Sequence, residues 1–513
     1  MKQLFYYISA GLVIITVSCT KLKEDPQSFL SPEQFYKTKN DAIAAVNALY
    51  HQLNHDPNGQ QGLYNSLYNT GMDFMTDDLD AGPGSPNPDV QSLSKLAHSA
   101  TVIRGKEIWQ QHYSNINRAN VALEKIPAIE FEQALKNRLL AEARVIRALH
   151  YFDLVRLYGA VPLLLTDQTV LPISQLQVPR TSVDSVYNQI ITDLTEAATL
   201  FANGASGEAG RATEGAAKSL LAKVYLTKRD WEKSVLKAEE VINGSYGYDL
   251  EEDYSHVFLP AYKNGKEHIF SAQFLANAGG QANATMGRDI FTGIPGLKGS
   301  YGDQVRFYTV GNDKFFSIYK LYSPQDKRRD VTFVTSFKSP TNGKTYGKLN
   351  DPAIPGDSTP FLNKYWDPAA ISNTAEAAAN THIIRFAEVL LIHAEAENEL
   401  NGPTSKAYTS LNRVRERAGL DPLIEGTLNK DEFREAVYLD RRLELVNEFQ
   451  RYFDLIRQTG SAITNVGPDN RGTLIINLHK VGKTNAAARH YLYPIPQLEI
   501  DRNPKLTQNP GWE

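Results

Sequence analysis

Hydrophobic positions recur at the helical period through most of the chain. From Pro32 to Leu53 apolar residues return every three or four positions, with Ser31 placed as N-cap and Pro32 in the first turn. The same periodicity predicts helices over 108–126, 131–158, 182–201, 212–228, 231–242, 383–400, 405–418 and 431–458. The 131–158 segment is apolar nearly all round, through Leu139, Leu140, Ala143, Ile146, Leu149, Phe152 and Val155, which marks a helix buried between others. Gly159 stops it and Pro162 follows. Between Gly62 and Asp89 the pattern breaks. Gly and Pro crowd that stretch, and Asp73, Asp77, Asp78 and Asp80 cluster in it.

Two finer patterns overlie the helices. Leu221, Ala222, Tyr225 and Trp231, with Ser234 at a small position, have the large-small-aromatic spacing of a tetratricopeptide unit, and a generic helical hairpin fits them equally well. An internal echo is plainer. Tyr151-Phe152-Asp153-Leu154-Val155-Arg156 ends at Gly159, and Tyr452-Phe453-Asp454-Leu455-Ile456-Arg457 ends at Gly460. Both carry an Asp–Arg pair at i, i+3, a cation in the last turn and a Gly past the end, so both read as scaffold.

Residues 254–366 differ in character. They hold 19 aromatics in 113 positions, denser than the 10% of the whole chain, interleaved with Gly, Asn and Pro. The expected content is short strands (268–274, 331–337) and long loops, and a long loop region on a helical scaffold is usually functional. The aromatic density argues against disorder.

Composition narrows the function. With 54 Lys+Arg against 58 Asp+Glu, there is no basic excess to neutralise phosphates, which argues against a nucleic-acid partner. A single cysteine excludes an intrachain disulfide and a cysteine-based zinc site. That cysteine, Cys19, follows a basic start, an apolar run from Leu4 to Val17 and a small Ser18, which is the pattern of a lipoprotein signal peptide. Thr16 stands three before the cysteine, where Leu is usual. The run is too short to span a bilayer. The polar Thr20–Ser28 stretch reads as a tether, and its Glu24-Asp25 pair resembles an acidic surface-export signal.

Enzyme motifs are broken. Gly343-Lys344-Thr345 and Gly482-Lys483-Thr484 resemble phosphate-loop tails, but the glycine required five residues upstream is Lys338 in one and Asn477 in the other. His393, Glu395 and Glu397 have metal-ligand chemistry, yet they lie on an apolar helix with Arg385 and Arg413 at hand and read as a satisfied core network. The Asp73–Asp80 cluster lacks the glycine and terminal Glu of an EF-hand and reads as a solvated acidic turn. A binding surface remains. Aromatic rings stack on the C–H faces of sugars, while Asp, Asn and Arg pair with hydroxyls. The candidates are Phe74, Asp77 and Asp78 in the first loop, and Tyr301, Arg306, Tyr308 and Trp366 in the aromatic region.

Several long blocks carry a resemblance: AEARVIRALHYFDLVRLYGAVPLL (141–164), RFAEVLLIHAEAENEL (385–400), LNRVRERAGL (411–420), LDRRLELVNEFQRYFDLIRQTG (439–460) and LYPIPQLEIDRNPKLTQNPGW (492–512). Together with the lipobox at Cys19 they are similar to the SusD/RagB-family nutrient-binding lipoproteins of Bacteroidetes, in the family's order. The resemblance implies a mainly α fold, a tetratricopeptide-like helical scaffold with a loop-rich, aromatic-rich ligand region containing short strands. It implies a lipid-anchored outer-membrane protein that delivers a glycan or peptide to a SusC-like TonB-dependent transporter. With the enzyme motifs broken, the leading expectation is a non-catalytic, surface-exposed receptor that captures oligosaccharide and holds no cofactor or metal. A peptide receptor of the same architecture is the alternative, and a glycoside hydrolase a weaker one. The expected organisation is a signal peptide over 1–18, a tether over 19–30 and one domain over 31–513. Its scaffold lies mainly in 31–250 and 381–513, its ligand region in about 251–380. The matching blocks are scaffold, so the site candidates rest on residue chemistry alone.

Overall fold

A computed structural model describes residues 35–55, 62–81, 87–169, 171–204, 207–276, 308–309, 318–334, 337–338, 345–346, 361–365, 367, 377–458 and 472–513. Among these the long elements are helices: α1 Lys39–Asn54, α2 Ile103–Lys125, α3 Gln133–Tyr158, α4 Val183–Ala202, α5 Glu214–Lys228, α6 Trp231–Ile242, α7 Phe386–Asn401, α8 Ser405–Arg417, α9 Lys430–Glu444 and α10 Arg451–Arg457. None is long and apolar enough to cross a membrane. Each helix from α1 to α8 packs on the next in the chain, and α7 also packs on α5 and α9.

Local chemistry explains most boundaries. α1 starts at Lys39, where Thr38 and Asp41 form a capping box: Asp41 N donates to Thr38 Oγ1 at 3.2 Å and Thr38 N to Asp41 Oδ2 at 2.8 Å; Ser31 and Pro32 lie outside the described residues. Ser182 and Thr213 cap α4 and α5. α3 ends where Gly159 takes φ +72°, its N–H bonded to the Val155 carbonyl. α5 and α6 form the expected hairpin. Buried Ser234 lets the two helices approach, and its Oγ donates to the Ala222 carbonyl at 2.9 Å.

Two helical expectations are corrected. Residues 381–385 form a strand that runs straight into α7, and all five residues are buried. A strand buried on both faces shows no alternation, so Ile383-Ile384 reads as helix. The second is the break at 445–450, where 431–458 splits into α9 and α10. Here the carbonyls of the last turn are captured from outside. Tyr322 OH donates to Leu443 O, Tyr254 OH and Arg385 Nη2 to Glu444 O, and Lys364 Nζ to Glu444 O and Val446 O. Asn447 and Phe449 then take φ of 60°. Asn447 tolerates this region better than most, and its Oδ1 accepts from Asn69 Nδ2 at 2.6 Å.

The strands are short. β1 Leu79–Asp80, β3 Tyr308–Thr309, β4 Phe333–Val334 and β7 Phe361–Leu362 form an antiparallel sheet in the order β1-β3-β7-β4. β2 His268–Ala272 pairs with β8 Thr381–Arg385, and β5 Phe337–Lys338 with β6 Thr345–Tyr346. One large apolar core joins the helices, and a smaller one of Phe74, Leu79, Val90, Ile318, Tyr322, Phe333, Leu362, Leu443 and Val446 joins the four-stranded sheet to the end of α9.

Candidate ligand-binding platform

The four-stranded sheet is held to the helices by charge as well as by its small core. Fully buried Arg385 donates to Glu267 Oε1 and Glu444 Oε1, both at 2.6 Å, and to both oxygens of Glu448. Arg417 bridges Glu267 and Glu444. Arg328 holds Asp326, Asp440 and Glu444, and Lys364, two residues after β7, reaches Glu448 Oε1 at 2.7 Å. Burial alone would raise the Glu444 carboxyl, but the Arg417, Arg385 and Arg328 guanidiniums outweigh it and hold the group well below the usual carboxylate range. Burial pushes Lys364 down to about 8, and Glu448 opposes the fall.

The other edge of the sheet is clamped through the acidic turn. Arg451 donates Nε and Nη2 to Asp77 at 2.8 and 2.7 Å, and Arg442 reaches Asp78 Oδ1 at 2.6 Å and Asp77 Oδ2 at 2.9 Å. Beneath the turn, Lys483 Nζ donates to the carbonyls of Phe74, Thr76 and Leu79 at 2.6, 2.8 and 2.9 Å. Burial would raise Asp77, but its two arginines hold it low. Burial and the charge on Asp77 raise Asp78, and burial pushes Lys483 down to about 8.

These contacts correct three of the sequence candidates. Asp77 and Asp78, each 2% exposed, are ion-paired inside the protein, so their oxygens hold guanidiniums and do not face sugar hydroxyls. The turn is not solvated. Phe74 is 0% exposed at the centre of the small core and presents no ring face to a ligand. Their role is to fix β1. Tyr308 lies on β3, in register with Asp80 on one side and Phe361 on the other. Tyr301 and Arg306, in the segment that enters β3, and Trp366, four residues after β7, lie outside the described residues, as does Cys19. The topology therefore brings the acidic turn, the Tyr308 strand and the strand before Trp366 to one sheet.

The sequence reading missed Lys483, Arg442, Arg451 and Lys364. Lys483 was in view only as part of a broken phosphate-loop motif. As expected, His393, Glu395 and Glu397 are core groups. His393 Nδ1 meets Ser410 Oγ at 2.8 Å, Glu395 holds Arg457, and Glu397 accepts from Asn401 and Thr404, so the partners are neither Arg385 nor Arg413. Among the described residues no group of three or more His, Cys, Asp or Glu side chains is placed to hold a metal ion.

The platform and its helices match known proteins over nearly the whole chain. The SusD family model matches residues 238–512, and a model described as starch-binding, associating with the outer membrane, matches 87–226. A SusD-like protein P2 from Formosa agariphila is 30% identical, over 98% of this chain and 98% of its own. The chain belongs to the SusD family. The starch-binding protein SusD of Bacteroides thetaiotaomicron is a more distant member, 22% identical over 89% of this chain and 87% of its own. Among solved SusD-type structures, a SusD superfamily protein from Parabacteroides distasonis superposes with a TM-score of 0.74 at 27% identity, covering 92% of this chain and 99% of that one. A laminarin-binding SusD-like protein superposes with a TM-score of 0.73 at 26% identity, covering 93% and 100%. SusD membership accounts for the mainly helical scaffold with its small antiparallel sheet.

Proposed function

We propose that this SusD-family chain is a non-catalytic, surface-exposed outer-membrane lipoprotein, anchored at Cys19, that captures an oligosaccharide and passes it to a SusC-like TonB-dependent transporter. The observation that carries the ligand reading is the sheet β1-β3-β7-β4. A turn clamped by Arg442, Arg451 and Lys483 sets one edge. In sequence, the aromatic-rich segments adjoin β3 and β7. Rings carried on a rigid sheet lose little entropy on binding, which favours stacking on sugar faces. The starch-binding and laminarin-binding names of relatives point to glucans as the first ligands to try.

The test is a glycan and peptide array on the purified chain, with laminarin and starch oligosaccharides included, followed by titration of Tyr301→Ala, Arg306→Ala, Tyr308→Ala and Trp366→Ala. A central aromatic costs about 2 kcal/mol on truncation, so at least one ring variant loses roughly tenfold or more in affinity with an unchanged melting temperature. Capture of peptides with no glycan bound would overturn the oligosaccharide reading. Hydrolysed products that scale with protein would overturn the non-catalytic one. Delivery is checked by co-purification of the lipidated chain with a TonB-dependent barrel from outer membranes.

A further inference from the structure

A cavity of about 430 Å³ lies among the scaffold helices. Its walls come from the end of α3, the start of α4, the end of α5, the α9–α10 junction and residues 491–492, and none comes from the four-stranded sheet. Its size falls within the ordinary range of ligand pockets, roughly 300–1,000 Å³. Five cationic side chains line it against two carboxylates, Asp184 and Asp454. At its solvent side Lys228 Nζ meets the exposed Asp184 at 3.1 Å.

Deeper in, three polar side chains are less than one-tenth exposed, and two of them hold a buried atom without a partner. Arg441, 2% exposed, gives Nε to Asp454 and Nη2 to Glu388, and its Nη1 has no partner. Gln450, 8% exposed, donates to the Glu448 carbonyl, and its Oε1 has no partner. Arg156, 7% exposed, gives Nε to the Phe152 carbonyl and Nη2 to Asp153, and neither bond uses Nη1. Its guanidinium is fixed between the rings of Phe152 and Phe453, 3.8 and 3.5 Å from their centroids. Buried polar atoms are nearly always bonded, so the unbonded Arg441 donor and Gln450 acceptor lining one cavity point to an occupant. Burial pushes Lys223, also in the wall, down to about 8; Glu388 resists, and the charges of Arg156 and Arg441 add to the fall. Each lining cation is ion-paired, Lys223 with Glu388 at 3.0 Å among them, so an anion would be recognised by guanidinium nitrogens left over from these pairs and not by a net positive charge.

We infer that this cavity is a binding site for a small hydroxylated anion of the sugar-acid class. Its carboxylate meets the terminal nitrogens of Arg156 and Arg441, and a hydroxyl donates to Gln450 Oε1. Phe453 and Tyr187 supply apolar wall for the C–H face. The inference does not depend on the oligosaccharide reading of the sheet.

Calorimetric titration of the purified chain with glucuronate, glucose and inorganic phosphate tests it. Glucuronate binds saturably, and glucose binds at least roughly tenfold more weakly, because it leaves the guanidiniums unmatched. Phosphate also binds more weakly, lacking a hydroxylated ring. Gln450→Leu, which touches no ion pair, lowers glucuronate affinity about tenfold without changing the melting temperature, and Arg156→Lys lowers it by a similar factor. If Arg156→Lys does not fold, Gln450→Leu decides. Equal affinity for glucose, equal affinity for phosphate, no saturable glucuronate binding up to about 10 mM, or unchanged affinity in the folded variants would each overturn the assignment.

Discussion

Glu444→Gln is the sharpest probe of what joins the four-stranded sheet to the helical scaffold. The side chain is 0% exposed and accepts from Arg385 at 2.6 Å, from Arg417, and from Arg328 at 3.3 Å. The cluster around it balances Arg328, Lys364, Arg385, Arg415 and Arg417 against Glu267, Asp326, Asp440, Glu444 and Glu448. Glutamine keeps the volume, so no cavity opens, but it removes one negative charge and turns one acceptor into a donor facing guanidiniums. Removing one partner of a buried pair costs about 3–5 kcal/mol, and the complete burial of Glu444 favours the upper half. Equilibrium urea unfolding followed by circular dichroism measures this. Lys406→Gln, which breaks the exposed Lys406–Glu239 pair, is the control and should leave the midpoint in place. The pH dependence gives a second check. The folded state holds the Glu444 carboxyl below its ordinary value of 4.5, so its contribution is complete above that pH and is lost as pH falls through the folded value. The gap between wild type and Glu444→Gln should be flat above about pH 5.5 and narrow on acidification. A loss of less than about 1 kcal/mol at neutral pH would show that the remaining carboxylates re-pair freely and that Glu444 is not a joint.

Lys483→Met leaves the Phe74, Thr76 and Leu79 carbonyls without their charged donor; the expected cost is about 3 kcal/mol, with faster hydrogen exchange across 73–80, and unchanged exchange there would refute the clamp. Burial lowers His98 and His112 to about 3 and His490 to about 4 from 6.5, so the folded chain binds fewer protons than the unfolded one below 6.5 and stability should decline as pH drops through that window. A urea midpoint that stays level from about pH 7 to pH 4 would contradict this. Cys19→Ala removes the only thiol and should release the chain from outer-membrane fractions in a strain lacking the transporter; retention as firm as wild type would count against the lipid anchor.

What the sequence made legible follows from the range of the interactions involved. α3, α4, α5, α6 and α8 were readable within a residue or two because their apolar period, caps and stops lie within the segment itself. The Thr38–Asp41 box was equally local, but a plausible Ser-Pro start seven residues earlier masked it. The break between α9 and α10 could not be read locally, because Tyr254, Tyr322, Lys364 and Arg385 impose it from elsewhere in the chain. The acidic turn is the extreme case. Asp77 and Asp78 owe their burial to Arg451 and Arg442, 374 and 364 residues away, and the turn's carbonyls to Lys483, 409 residues from Phe74. Four aspartates in a Gly/Pro-rich loop read as solvated unless those partners are known. Tyr308 could be named for its chemistry, but its neighbours on the sheet come from two distant strands.

The internal echo shows how a pattern can be plain while its consequence is not. Both copies make the predicted i, i+3 pair, Asp153 with Arg156 and Asp454 with Arg457. Nothing in either copy says that they meet. In the fold, Phe152 of one copy and Phe453 of the other take opposite faces of the Arg156 guanidinium, so a motif that reads twice as a helix ending acts once as a joint. The second copy's pair is tied further, since Asp454 also holds Arg441 and Arg457 also holds Glu395. Each charge in this joint therefore has a structural partner, yet the stacking that immobilises Arg156 also holds its remaining nitrogen in a fixed direction beside the cavity. A guanidinium fixed by two rings and a carboxylate has already lost most of its side-chain freedom, so a ligand meeting it there would not have to order it again. The same contacts that join the two copies of the motif thus preorganise Arg156 in the wall of the proposed anion site, beside the unpartnered Arg441 Nη1.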